Sequence, residues 1–118
     1  MNKHKEREAA RALATRKKDA QTILGKIGPV LTSIEAVVAG GEFGMLSVQL
    51  REPLEIKKTF LQETLSAANI VVASEADDDI NDLPEIASLM VIMEALSAAK
   101  KIVARITNVL AAIARLHH

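Results

Sequence analysis

The sequence predicts an all-α protein, an elongated antiparallel up-and-down bundle of three long helices. Three observations carry that prediction. From Leu83 to Leu116 the chain runs 34 residues with no glycine and no proline after Pro84. Within it, Leu89, Ile92, Leu96, Ala99, Val103, Ile106, Leu110 and Ile113 recur at steps of three and four, a single stripe of coiled-coil type. Two earlier segments repeat the pattern, and a helix of roughly 50 Å needs neighbours of comparable reach to cover its stripe.

The first helix is expected from about Lys3 to Ala39. Leu13, Ala20, Ile27 and Ile34 recur every seven residues, with Ile23, Val30 and Val37 between them. Proline inside a helix clashes with the carbonyl four residues back, here that of Gly25. The stripe keeps its phase across Pro29, which favours one kinked helix over two. Before Leu13 only alanines hold the inward positions, so residues 1–12 read as a projecting or frayed basic arm of a single domain spanning 1–118. Gly40-Gly41 is the expected C-terminal cap.

Between Glu42 and Glu52 the pattern is ambiguous. Leu46, Val48 and Leu50 alternate like a strand, while Leu46, Leu50, Leu54, Leu61, Leu65, Ala68 and Val72 fit a helical stripe. A lone strand would leave its backbone groups unpaired, so helix is the better reading. Pro53 either kinks that helix or starts a new one, and a true break at Pro29 or Pro53 would make four helices. Glu75 to Asp82 breaks the apolar pattern as a solvated connection. Asp82 and Glu85 then form a capping-box-like start for the last helix, with Pro84 in its first turn.

The net charge is zero but unevenly spread. Residues 1–18 hold seven basic side chains against Glu6 and Glu8, a net +5. Residues 40–85 hold ten acidic groups against Arg51, Lys57 and Lys58, a net −7. Such polarity steers association with partners or other copies. Phe43 and Phe60 are the only aromatics, and cysteine is absent. Few rings shape pockets here, and no thiol is available for a disulfide, a metal or catalysis.

Catalytic and cofactor chemistry finds no constellation. The histidines fall at positions 4, 117 and 118, and His117-His118 resembles the start of a purification tag. No nucleophile elbow, phosphate loop or zinc-protease motif occurs. Asp77, Asp79 and Asn81 match positions one, three and five of a calcium loop, but Asp82 and Ser88 replace the required glycine and glutamate. The expectation is therefore no enzyme, no metal, no cofactor and no small-molecule substrate. The basic amino terminus is interrupted by Glu6, Glu8 and Asp19 and lacks aromatics to stack on bases, which argues against nucleic acid.

One surface stands out. From Leu89 to Met93 the last helix is apolar on nearly every face, and from Ile86 to Ala99 it carries more apolar surface than a three-helix fold readily covers. Met90, Val91, Met93 and Ala95, with Lys100 and Lys101 beside them, are the expected partner-binding residues. From Val103 onward the helix is expected to pack one-faced within its own bundle. These features describe a helical interaction module, such as a scaffold, adaptor or assembly subunit, binding a protein or another copy of itself. The alternative is a bundle that opens reversibly onto a lipid surface, disfavoured by the absence of Trp and Tyr anchors. No signal peptide is visible, the apolar window at 86–99 is too short to span a bilayer, and the expected location is the cytoplasm.

Overall fold

The computed structural model describes residues 3–74 and 82–116 of the 118-residue chain. Among them are three long helices and no strand: α1 (Lys3–Ala39), α2 (Val48–Ala73) and α3 (Leu89–Leu116). Each helix packs on both others in an up-down-up antiparallel bundle measuring 73 × 21 × 20 Å.

Neither proline breaks its helix, so the described residues hold three long helices rather than four. Pro29 and Gly25 are both exposed, as are Pro53 and Gln49 four residues before it. The carbonyl that each proline leaves without an intrahelical donor therefore belongs to an exposed residue, where water can serve it.

The α1 stripe buries as its spacing predicts. Leu13, Ala20, Ile23, Ile27, Val30 and Ile34 are buried, joined by Leu31, while Val37 is half-buried. Residues 5–12 are exposed throughout, as an extension of the same helix beyond the core. At its other end α1 stops without a left-handed glycine, since no described residue has positive φ. The Gly40 N–H instead donates to the Val37 carbonyl at 3.1 Å. A side chain at Gly40 would place its Cβ 3.2 Å from that same oxygen, so glycine supplies room there rather than an unusual φ.

The ambiguous stretch is only partly helical. Phe43–Met45 forms one 3-10 turn, Leu46 leaves it in extended conformation, and α2 begins at Val48. Phe43 and Leu46 are both buried in the main core cluster. The Phe43 and Leu46 N–H groups donate to the Gly40 and Phe43 carbonyls at 3.1 Å, so the turn satisfies its own backbone. On α2, Leu54, Leu61, Ala68 and Val71 are buried; Val72, expected in the stripe, is half-buried.

The last helix starts six residues later than its lack of glycine suggested. Pro84 pushes Leu83 away from helical backbone. The Arg16 guanidinium donates to the Pro84 carbonyl at 2.7 Å, tying the non-helical segment along α1. Ser88 then caps α3: its Oγ accepts from the Val91 N–H at 3.3 Å and its carbonyl from the Ile92 N–H at 3.1 Å. The cap is therefore Ser88, not the Asp82 and Glu85 pair. The α3 stripe buries Ile92, Leu96, Ala99 and Ile106, while Val103, Leu110 and Ile113 are only half-buried.

Candidate interaction surface

The inward side of α3 is fixed by five buried residues, Ile92, Ala95, Leu96, Ala99 and Ile106. At 100° per residue, the side opposite carries Met90, Glu94, Ser97, Lys101, Ala104 and Asn108, all exposed. Met93, Lys100 and Thr107 form one shoulder of that face, also exposed. Val91 lies on the other shoulder, beside half-buried Ala98 and Ile102.

The opening turn and a half of α3 is unusually apolar for a surface. Leu89 is 47% exposed, Met90 73%, Val91 47% and Met93 43%. Singly exposed apolar residues are ordinary, but four within five consecutive positions form a patch. Of the six residues expected to bind a partner, Met90, Met93, Lys100 and Lys101 do share the outward side. Val91 is exposed but on a different flank. Ala95 is a correction: at 5% exposure it belongs to the core, because the bundle's inward side extends one position beyond the Ile92, Leu96 and Ala99 line.

Two features were not read from the sequence. Leu89, assigned to the internal seam, is exposed because α3 begins at that residue. Beside it opens a cleft of about 530 Å³ between α1 and the 85–89 segment, with Arg16, Asp19, Thr22 and Ile23 facing Ile86 and Leu89. The cleft exists because residues 83–88 are not helical and so do not pack as a rod along α1. Pro84 and Ser88 were the signals for it: a proline that disfavours helical backbone in the preceding residue, and a serine placed to cap.

Two of the charged groups at this end have structural partners. Lys17 Nζ donates to the Ser74 carbonyl at 2.6 Å, and Arg16 reaches Pro84, so adjacent α1 cations hold both sides of the acidic connection. Asp77, Asp79 and Asn81, weighed as calcium-loop positions, lie outside the described residues. Among the described residues no three His, Cys, Asp or Glu side chains gather as a metal site. Every buried side-chain nitrogen or oxygen described has a hydrogen-bond partner. Among the described residues, no buried polar side-chain atom is left over to aim at a ligand.

Comparison with protein-family models, curated proteins and solved structures gives no match in any of the three.

Proposed function

We propose that this chain is a non-enzymatic helical interaction module, a scaffold, adaptor or assembly subunit working in the cytoplasm through the outward side of α3. The observation that carries this reading is the exposure of Leu89, Met90, Val91 and Met93 at the start of a helix whose opposite side is already buried. Covering those side chains supplies roughly 1–2 kcal/mol each, enough to support a specific contact. Methionine suits such a surface because its flexible thioether adapts to the shape it meets.

The test is Met93→Asp in the full chain, followed by light scattering and by capture of the partner that the wild type retains. Association is expected to fall at least tenfold with helicity unchanged, since one buried charge costs more than the ~1.4 kcal/mol that a factor of ten represents. Unfolding of the variant would place Met93 in the fold's own core and sink the reading.

Reversible lipid binding is the second reading, favoured by one observation. Lys5–Ala39 within α1 is long and apolar enough, by length and composition, to cross a membrane. Its apolar side chains Ile23, Ile27, Val30, Leu31 and Ile34 are core residues, and a core helix passes the same test. Lipid contact through this face would require the bundle to open. Co-sedimentation with anionic vesicles at low salt decides it, and absence of binding there removes it.

A further inference from the structure

The geometry points to a second copy of this chain as the occupant of the α3 face, docked antiparallel across a two-fold axis beside Ser97 and Lys100. This rests on the reading of α3 as the interaction surface and names its partner. The exposed positions Met90, Met93, Ser97, Lys100, Ala104 and Thr107 follow one another at steps of three and four. They form a seam along the exposed shoulder of α3 that carries Met93, Lys100 and Thr107, with Glu94 and Lys101 both on its outward edge.

Laying a second α3 antiparallel on that seam, with Met93 of one copy against Ala104 of the other, fixes every other pairing. Met90 then meets Thr107, and Ser97 meets Lys100, whose aliphatic stem can lie across the small serine. A long methionine opposite an alanine is a knob meeting a shallow hole. In the same register Glu94 of each copy falls beside Lys101 of the other, and the symmetry makes that pair twice. Lys100 reaches toward the same carboxylate. Arg105 lies one step outside the seam. A parallel pairing in register would instead put Glu94 level with Glu94 and the lysine pair level with its twin. The charges thus select the antiparallel orientation, and setting each methionine against Ala104 or Thr107 of the other copy permits close approach.

The test uses the full chain with circular dichroism to confirm folding and sedimentation equilibrium to read association. The wild type is expected to dimerise with increasing concentration. Glu94→Lys, and separately Lys100→Glu with Lys101→Glu, are each expected to weaken dimerisation about tenfold or more, because both create two like-charge pairs. Combining all three substitutions in one chain restores every opposite-charge pair of the antiparallel register, and dimerisation returns. A parallel contact would not be rescued in this way. A wild type that stays monomeric at its highest soluble concentration, or a folded triple variant that stays as weak as its parents, overturns the proposal. If the charge variants associate normally while Met93→Asp abolishes association, the register falls and the interaction reading stands. If Met93→Asp is also silent, both fall.

Discussion

Thr64 is a polar residue among apolar ones, buried on the α2 stripe between Leu61 and Ala68. Its Oγ1 donates to the Phe60 carbonyl at 2.9 Å, one turn back, so the hydroxyl is satisfied within its own helix. What remains facing the core is a methyl group and a compact, branched shape. Ser74 does likewise at the end of α2, where its Oγ donates to the Val71 carbonyl at 2.6 Å. This local closure explains why neither residue stood out as core in the sequence: hydropathy counts the hydroxyl, whereas burial depends on whether its partner lies on the same turn. Replacing the hydroxyl by a methyl should therefore cost little. Thr64→Val is expected to leave stability within about 1 kcal/mol of wild type, measured by urea unfolding. A loss above about 2 kcal/mol would show that the hydroxyl serves something beyond Phe60.

At the scale of elements, periodicity made most of the bundle legible and boundaries were where it failed. The seven-residue repeat at Leu13, Ala20, Ile27 and Ile34 located the buried side of α1 because four buried layers repeat one signal. The start of α3 depends instead on one proline, one serine hydroxyl and the Arg16 bond across 68 positions, and that long-range bond is invisible to local pattern. The same distinction applies to Gly25 and Gly28. Both lie beside Pro29 yet inside continuous α1, and an added Cβ at either would meet nothing within 4 Å. Glycine in a helix interior costs roughly 0.5–1 kcal/mol relative to alanine, mainly through backbone freedom in the unfolded chain. Gly25→Ala with Gly28→Ala is accordingly expected to raise the melting temperature by roughly 5 °C in calorimetry. A lowered melting temperature would mean that α1 needs its glycines to bend around Pro29.

The whole molecule is longer than any of its helices. With 37 residues α1 extends about 55 Å, yet the long axis is 73 Å, so the helices are offset rather than flush. The bonds from Arg16 to Pro84 and from Lys17 to Ser74, with the cleft where Ile23 faces Leu89, set the offset. From Lys3 to the level of Ile23 is about 30 Å along α1, and α3 adds about 42 Å from there, together close to the observed length. Each end of the molecule is therefore one projecting helix: the basic start of α1, and the tail of α3, where Leu116 is exposed. Alanine spacing made the first projection legible. The second was not, because Val109, Leu110 and Ile113 continue a core-like stripe although they are only half-buried where α1 no longer runs alongside. Removing residues 1–12 tests the offset directly, since positions 5–12 bury nothing. At a concentration where the chain is monomeric, small-angle scattering should show the longest dimension shortened by roughly 15 Å. Thermal unfolding should change by less than about 1 kcal/mol, as for surface changes that leave the core intact. A length that stays the same, or a stability loss of several kcal/mol, would mean that the α1 extension folds back on the bundle instead of projecting from it.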